Sequence, residues 1–225
     1  MQSTSKLLTC GAIVLCGGKS ERMGRDKATL PFGRHTVLEH VVETLMEAIS
    51  GTSIVVVSAA GQKLPALPPS IQLTHDAKPA RGPLEGMAAG LLVLPSYLDK
   101  AFVCSCDAPF VNPNVIRHLL KQLSNYDAAV PVDECDGNES DINDRGMHPL
   151  CAVYRRRVLT VIEKQLANNE LRVRSMVKQL FANHLSTREL REFDPKLHCL
   201  QNMNTPHDYE VALNELRATS QELRQ

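Results

Sequence analysis

The sequence predicts an α/β fold with three layers, in which a mostly parallel twisted sheet lies between helices on both faces. Apolar strand-like runs alternate with helical stretches over most of the 225 residues, and no internal repeat is present. Such alternation is typical of parallel strands joined by crossover helices. The length is sufficient for one full core, so we expect residues 1–225 to form a single domain.

Hydrophobic periodicity and turn-forming residues predict the individual elements. The apolar run at 11–16 predicts a buried strand, and the apolar positions of 36–49 share one side of an amphipathic helix. The proline-rich residues 64–70 predict a loop before a short third strand. Further strands are predicted at 53–58, 71–75, 101–106, 128–132 and 150–154, and further helices at 84–94, 112–123, 158–166, 173–180 and 206–217.

Charge and cysteine content exclude several classes of function. The 25 basic and 25 acidic side chains give a net charge of zero, so we expect neither nucleic acid nor a membrane as a partner. No run approaches the ~18 apolar residues of a membrane span. Seven cysteines, an odd number without a C-x-x-C pair, predict reduced thiols and a cytoplasmic location.

Residues 12–27, AIVLCGGKSERMGRDK, lead from a strand-like run into a glycine-rich basic loop. Gly17 and Gly18 lack a Cβ, so their N–H groups can turn toward a closely approaching anion. A P-loop is excluded because Ile13 stands where that motif needs glycine, and the glycine spacing of a dinucleotide fingerprint is absent. We interpret the loop as a phosphate site rather than a solvated basic turn, because four cations surround it: Lys19, Arg22, Arg25 and Lys27.

The same stretch resembles the signature L-A-G-G-x-S-x-R-M-G-x-D-K of the molybdenum cofactor guanylyltransferases, which have a Rossmann-like nucleotidyltransferase fold. Cys16 replaces the usual alanine of the motif. The resemblance implies that Arg22 and Lys27 offset charge on the reacting phosphates. The matching residues are Leu15, Gly17, Gly18, Ser20, Arg22, Met23, Gly24, Asp26 and Lys27, and the residues expected to contact GTP in this stretch are Leu15, Cys16, Gly17, Gly18 and Lys27.

Asp107 is the candidate metal ligand. It follows a buried strand, at the sheet edge where ligands of α/β proteins bind. Mg²⁺ takes one or two carboxylates together with substrate phosphates and water, so one aspartate beside a triphosphate is sufficient. The alternative is a cap for the next helix, which Asn112 and Asn114 can provide instead. The family's C-D-x-P motif falls on residues 106–109, so the resemblance also implies that Asp107 contacts GTP.

Two further positions are expected to contact the nucleotide. Asp76 follows the third predicted strand, ahead of a G-P-L-E-G segment at 82–86 that resembles the family's D...GPLAGM. Ser58 matches a family position that contacts the base. The small residues of the helix that begins there are compatible either with a flat nucleoside or with close packing on the sheet: Gly82, Gly86, Ala88, Ala89 and Gly90.

The carboxyl third resembles the part of the family that binds molybdopterin. Residues 202–206 match N-x-N-T-P, and the resemblance implies that Arg172, Asn202 and Asn204 bind this acceptor. Capping of the last helix by Asn204 or Thr205 is the alternative. His148 lies in an H-P motif, for which we predict no catalytic role. We therefore expect a nucleotide-binding half at 1–132, an acidic insertion loop without an inherited role at 133–146, and an acceptor-binding half at 147–225.

The resemblance implies transfer of GMP from GTP to molybdopterin with release of pyrophosphate, Mg²⁺ at Asp107, and a molybdoenzyme or its chaperone as recipient of the product. Gly17 favours guanine, because the related cytidylyltransferases resemble L-A-A-G at this point. Two alternatives stay open. One is a cytidylyltransferase or sugar-phosphate nucleotidyltransferase, and the other is a non-catalytic GTP-binding module.

Overall fold

The computed structural model describes residues 9–17, 26–76, 81–134 and 146–222. The strands are β1 (Gly11–Leu15), β2 (Pro31–Phe32), β3 (His35–Thr36), β4 (Ile54–Ser58), β5 (Gln72–His75), β6 (Lys100–Ser105), β7 (Ala128–Val132), β8 (Cys151–Arg155) and β9 (Ala182–Ser186). The α-helices are α1 (Val37–Met46), α2 (Pro83–Val93), α3 (Pro113–Gln122), α4 (Leu159–Ala167), α5 (Val173–Lys178), α6 (Thr187–Leu190) and α7 (Pro206–Glu222).

Seven strands form one sheet in the order β5-β4-β1-β6-β8-β7-β9. All neighbours are parallel except β8, which runs antiparallel to both β6 and β7. Strand β1 is central, and Leu15 at its end lies beside Val57 of β4 and Ser105 of β6. The ends of these strands therefore meet at one edge of the sheet.

Two apolar cores cover the two faces of the sheet. Along β1, Val14 contributes to one core and Ile13 to the other, because successive side chains of a strand point to opposite faces. Helices α1 and α3 supply apolar side chains to the first core, and α2, α4 and α5 supply them to the second. Among the described ranges, no helix is both long enough and apolar enough to cross a bilayer.

The predicted fold class is confirmed, and each predicted helix and strand is present with small shifts at its ends. The structure also contains strands and α-helices that the sequence does not predict. These are the hairpin of β2 and β3, the short helix α6, and strand β9 at the sheet edge. In strand β9 only Leu185 is buried, and the other four residues are at least partly exposed. It therefore lacks the apolar run by which the other strands are recognised.

Candidate active site

The ends of β1 and β6 bring two predicted segments together. The Cys106 N–H donates to the Leu15 carbonyl at 2.9 Å, and the Cys16 N–H donates to the Val57 carbonyl at 2.8 Å. These bonds extend the ladders one residue beyond the strands, up to the positions before Gly17 and Asp107. The glycine turn and the Asp107 carboxylate therefore lie at the same edge of the sheet.

Lys27 is positioned by a single 3₁₀ turn at residues 27–29. Asp26 caps this turn, because its Oδ1 accepts a hydrogen bond from the Ala28 N–H at 3.0 Å. The other carboxylate oxygen of Asp26 accepts from Gln62 Nε2 at 2.8 Å, and the same Gln62 nitrogen donates to the Cys16 carbonyl at 3.2 Å. No sequence pattern points to Gln62, which lies in a loop without periodicity and ties the two ends of segment 16–26 together.

Lys27, Asp107 and Asn204 form a connected group of side chains. The Lys27 Nζ donates to Asp107 Oδ2 at 2.7 Å and to Asn204 Oδ1 at 3.1 Å. The Lys27 and Asp107 side chains are only 15% and 14% exposed, so water screens this ion pair less than it screens a surface pair. Residues separated by 177 positions thus meet at one cation.

The second oxygen of Asp107 is suited to an oxygen-binding cation. Asp107 Oδ1 is buried and has no hydrogen-bond partner within the described ranges, and a buried carboxylate oxygen without a partner is costly. The helix that follows does not use Asp107 as a cap, because Asn112 Oδ1 accepts from the N–H groups of Asn114 and Val115. In the part of the chain that the structure describes, no cluster of three or more His, Cys, Asp or Glu is placed to hold a metal. Phosphate oxygens and water would therefore complete a coordination sphere at Asp107.

Asn204 is free of the capping role that the sequence left open. The first turn of α7 is closed by Thr205 and Asp208: the Thr205 hydroxyl accepts from the Asp208 N–H, and the Asp208 carboxylate accepts from the N–H groups of Asn204 and Thr205. The Met203 N–H donates to the Asp107 carbonyl at 2.9 Å. This bond fixes segment 202–204 against the end of β6, and the Asn204 side chain is left to contact Lys27.

The Asp76 carboxylate lies between the backbones of Gly17 and Gly86. A Cβ on Gly17 would be 3.0 Å from Asp76 Oδ2, and a Cβ on Gly86 would be 3.1 Å from Asp76 Oδ1. A side chain at either position would require the Asp76 carboxylate to shift by a few tenths of an ångström. Burial raises the pKa of the Asp76 carboxyl, and the negative charge of Glu85 raises it further.

The small residues of α2 do not all have the same explanation. A Cβ on Gly90 would lie 2.5 Å from Ile13 Cγ2, so close packing against β1 requires glycine there. Gly82 has a φ of +75° and no atom within 4 Å of an added Cβ, so its backbone conformation is the constraint. Ser58 is 1% exposed and its hydroxyl is 2.8 Å from His75 Nδ1, so its predicted contact with the base stays a prediction.

Two cavities flank the segment that carries Asn202, and Asn202 lines both. One has a volume of about 320 Å³, and the apolar residues Pro109, Phe110 and Met203 form part of its lining. The other has a volume of about 430 Å³ and includes Arg174 in its lining. Arg172 is exposed at the beginning of α5 and lies outside the lining of both cavities, so its contact with an acceptor stays a prediction.

Part of the predicted site lies outside the described residues. This applies to residues 18–25, which include Gly18, Lys19, Arg22 and Arg25, and to residues 135–145 of the acidic segment. The roles assigned to Gly18 and Arg22 therefore stay predictions. The site geometry is defined by Gly17, Lys27, Asp76, Asp107 and Asn204.

Comparison with known proteins identifies the family to which this site belongs. A family model described as a MobA-like NTP transferase domain matches residues 12–185. The chain is a member of that nucleotidyltransferase family. The match runs from the second residue of β1 to the last but one of β9, so the nucleotidyltransferase resemblance seen in the sequence is confirmed.

Individual relatives of this nucleotidyltransferase agree in length as well as in sequence. A protein of Methanosarcina mazei named a probable molybdenum cofactor guanylyltransferase is 37% identical over 208 residues, which is 88% of each chain. A molybdenum cofactor guanylyltransferase of Desulfosudis oleivorans is 31% identical, and the alignment covers 92% of this chain and 95% of the relative.

Solved structures share the fold of this nucleotidyltransferase. Molybdopterin-guanine dinucleotide biosynthesis protein A from Archaeoglobus fulgidus superposes with a TM-score of 0.71 at 22% identity, over 92% of this chain and 99% of that one. The 2-C-methyl-D-erythritol 4-phosphate cytidylyltransferase of Thermus thermophilus gives a TM-score of 0.64 at 15% identity, with coverage of 92% and 99%. These two proteins are named for different bases, so the fold by itself does not choose the nucleotide.

Proposed function

We propose that this nucleotidyltransferase transfers GMP from GTP to molybdopterin, and that it releases pyrophosphate and forms a guanine dinucleotide. The observation that carries the proposal is the contact of Lys27 with both Asp107 and Asn204. Lys27 and Asp107 belong to the segments expected to bind GTP, and Asn204 belongs to the motif expected to bind the acceptor. The names of the relatives from Methanosarcina mazei and Desulfosudis oleivorans support the same substrates.

In the proposed reaction an oxygen of the acceptor's phosphate forms a bond to the α-phosphorus of GTP. The bond from the α-phosphorus to the bridging oxygen of the β-phosphate breaks, and that oxygen leaves with pyrophosphate. The acceptor phosphate is already ionised at neutral pH, so no side chain has to remove a proton. The protein instead has to align the two phosphates and offset their negative charge.

The described residues divide these tasks. The Lys27 ammonium offsets negative charge near Asp107, and Asn204 Oδ1 helps to hold this ammonium in place. Asp107 would hold Mg²⁺ through its unpartnered Oδ1. A bound Mg²⁺ would polarise phosphate oxygens and stabilise charge on the leaving group. Arg22 would add a second cation, as the sequence predicts.

Gly17 supports the choice of guanine. The related cytidylyltransferases resemble L-A-A-G at this point, and a Cβ added to Gly17 would lie 3.0 Å from Asp76 Oδ2, so alanine here would displace a carboxylate that is expected to contact the nucleotide. Our proposal also includes the division into a nucleotide-binding half at 1–132 and an acceptor-binding half at 147–225. A cytoplasmic location is proposed as well, in keeping with the free thiols of the six described cysteines.

The proposal is tested by offering the protein each of the four nucleoside triphosphates with Mg²⁺ and molybdopterin, and measuring pyrophosphate. We expect acceptor-dependent release with GTP only, and a product whose mass equals that of molybdopterin plus a GMP residue. Release with CTP instead would favour a cytidylyltransferase. GTP binding without any pyrophosphate in the presence of acceptor would favour a non-catalytic module. Either result would overturn the proposal.

A further inference from the structure

The turn that follows β4 fixes one end of the Gln62 side-chain amide. The Gln62 N–H donates to the Ala59 carbonyl at 3.1 Å and closes a four-residue turn. Gly61, the third residue of this turn, has a φ of +77°, which favours glycine at that position. The side-chain oxygen of Gln62 accepts from the Ala59 N–H at 3.0 Å. The turn therefore holds the amide by its oxygen, and the amide nitrogen contacts other segments.

This nitrogen joins two segments that are distant in the chain. It donates to the Cys16 carbonyl at 3.2 Å and to Asp26 Oδ2 at 2.8 Å, across 46 and 36 positions. A side-chain amide has two N–H donors and one carbonyl oxygen, so in Gln62 both hydrogens and the oxygen have partners. The bond to Asp26 is of the stronger, charge-assisted kind. Glutamate at position 62 would lack the donors, and methionine would lack both donors and acceptor.

Asp26 connects Gln62 to the 3₁₀ turn that carries Lys27. One carboxylate oxygen of Asp26 caps this turn through the Ala28 N–H, and the other accepts from Gln62. Because a carboxylate is planar, the two contacts together define its orientation. Lys27 is the first residue of the turn, and its ammonium donates to Asp107. The position of this ammonium is therefore linked, through Asp26, to the end of β4.

We infer that Gln62 is a positioning residue for nucleotidyl transfer. By holding Asp26 it fixes the turn from which the Lys27 ammonium reaches the reacting centre, and by holding the Cys16 carbonyl it fixes the end of β1 directly before Gly17. The inference rests on the proposed function for the reaction that Lys27 serves. Gln62 itself touches neither substrate in this arrangement.

A role confined to the local turn would have different consequences. The turn is already closed by the two bonds between Gln62 and Ala59. If only these bonds mattered, removal of the amide nitrogen would leave Lys27 undisturbed. The contact between Gln62 and Asp26 is therefore the one that the experiment has to change.

The first measurement is steady-state pyrophosphate release with GTP and molybdopterin. Gln62→Met keeps the length of the side chain and removes the amide, and we expect kcat to fall about tenfold, the value of one hydrogen bond to a charged group. The acceptor KM should stay the same. Gln62→Glu places a carboxylate oxygen against the Asp26 carboxylate and the Cys16 carbonyl, so kcat should fall further, by about 10²-fold.

An exchange of the two groups tests the contact itself. In the double variant of Gln62→Glu with Asp26→Asn, the amide at position 26 can cap the turn with its oxygen and donate to the carboxylate at position 62. We expect kcat to recover to about tenfold below that of the wild-type protein. Recovery is partial, because the Cys16 carbonyl still lacks its donor. Asp26→Asn alone brings two amide nitrogens together and should not show this recovery.

The second measurement needs no turnover. Lysines of the free protein are acetylated with acetic anhydride, and the rate at each lysine is read by mass spectrometry. Lys27 is only 15% exposed and paired with Asp107, so it should react slowly. In Gln62→Met its rate should rise at least about fivefold, and in the exchanged double variant it should return toward the wild-type rate. The exposed Lys121 serves as an internal reference.

Lys63→Met is the matched control, because it changes an exposed residue of the same loop and leaves the Gln62 contacts in place. Its kcat and its Lys27 acetylation rate should equal those of the wild-type protein. Circular dichroism and thermal melting verify that each variant is folded.

The two measurements separate this inference from the proposed function. Wild-type kcat in folded Gln62→Met, a loss of kcat without faster acetylation of Lys27, or no recovery in the exchanged double variant would overturn the role of Gln62 even where GTP-dependent transfer is observed. If the wild-type protein releases no pyrophosphate, acetylation alone decides. Faster acetylation in Gln62→Met that the exchange reverses would then support the positioning of Lys27 by Gln62 and overturn the transfer reaction, and an unchanged rate would overturn both.

Discussion

Strands β5, β4, β1 and β6 all run parallel, whereas β8 beyond them runs against both of its neighbours. We call the chain up to residue 127, which holds the first four strands, the parallel half, and the chain from residue 128, which holds β8, β7 and β9, the mixed half. In the parallel half, Gly17, Asp76 and Asp107 follow the carboxyl ends of three strands, and the sheet itself brings them to one edge. The relative positions of these three residues, which are proposed to bind the nucleotide, therefore follow directly from strand order.

The mixed half positions its groups in a different way. Its candidate groups lie in irregular segments between strands and helices: Asn204, Asp133 and His148. Specific contacts hold these segments. The backbone N–H of Met203, next to Asn204, donates to the Asp107 carbonyl, and Gly146 leaves room for the Asp133 carboxylate. Loops fixed by a few contacts can change between relatives without disturbing the sheet. Under the proposed function, the nucleotide site therefore depends on strand order, and the acceptor site depends on local loop contacts.

The largest expected effect lies where the two halves meet, at Lys27 and Asp107. Asp107→Asn and Lys27→Met should each lower kcat by about 10²-fold, the scale of one lost electrostatic stabiliser. Because the two side chains form one ion pair, the double variant should be far less impaired than the product of the single effects. Steady-state pyrophosphate release measures both.

Lys121→Met is the control for this pair, since it removes an exposed cation from α3. Its kcat should equal that of the wild-type protein. Near wild-type turnover in folded Lys27→Met or Asp107→Asn would show that the meeting point of the two halves is not the reacting centre.

The difference between the two halves also explains which parts of this arrangement the sequence can predict. Gly17 and Asp107 are predictable because each follows a buried apolar run, and parallel strand ends share an edge. The contact between Asn204 and Lys27 spans 177 positions, so no local pattern encodes it. Only the N-x-N-T-P resemblance points to Asn204.

Gln62 and Asp133 show why other groups cannot be predicted. The Gln62 side chain makes three hydrogen bonds, to Ala59, Cys16 and Asp26, but it lies in a loop without periodicity. Asp133 falls in the predicted acidic insertion, where one carboxylate among many gives no sign of its contact with His148. Both depend on loop geometry, which strand and helix patterns do not determine.

The second prediction concerns Asn204, the residue that the mixed half contributes to the proposed reacting centre. Asn204→Ala removes the amide oxygen that accepts from the Lys27 ammonium and keeps the ion pair with Asp107. We expect kcat to fall about tenfold, the value of one hydrogen bond to a charged group, with the affinity for GTP unchanged. Isothermal titration with GTP and steady-state kinetics separate these quantities.

Asn202→Ala provides the comparison, because Asn202 lines the two cavities. It should raise the acceptor KM with a smaller change in kcat. A tenfold loss of GTP affinity in Asn204→Ala would mean that the mixed half also binds the nucleotide, and the proposed division of tasks would be wrong.

The third prediction tests the parallel half alone. Gly17→Ala places a Cβ 3.0 Å from Asp76 Oδ2, so the carboxylate has to shift by a few tenths of an ångström. We expect the KM for GTP to rise about fivefold, equivalent to about 1 kcal/mol of strain, while the acceptor KM stays the same. In the background of Asp76→Ala the same substitution should have almost no effect. An equal fivefold rise in that background would assign the effect to something other than Asp76.

The smallest expected effect is on the free energy of unfolding of the protein. It comes from a helix cap in the parallel half, and we expect both KM values to stay unchanged. Thr36 and Glu39 form a capping box at α1, in which the Thr36 N–H donates to the Glu39 carboxylate at 2.6 Å and lowers the pKa of Glu39. A lowered carboxyl pKa stabilises the fold above the unfolded value of about 4.3, and this contribution disappears as pH falls through the folded value. Thr36→Ala should cost about 1 kcal/mol at pH 7.

Glu39→Gln should cost a few tenths of a kcal/mol at pH 7, because the carboxylate is largely exposed and water screens its charge. The cost should become smaller between pH 5 and pH 3, since the wild-type carboxylate also loses its charge over about this range. Urea denaturation at each pH measures the difference, with both KM values at pH 7 as the functional readout. A constant penalty across this pH range would show that the charge of Glu39 does not contribute to the cap. A change in either KM would show that α1, which lies beneath the parallel half, is coupled to substrate binding.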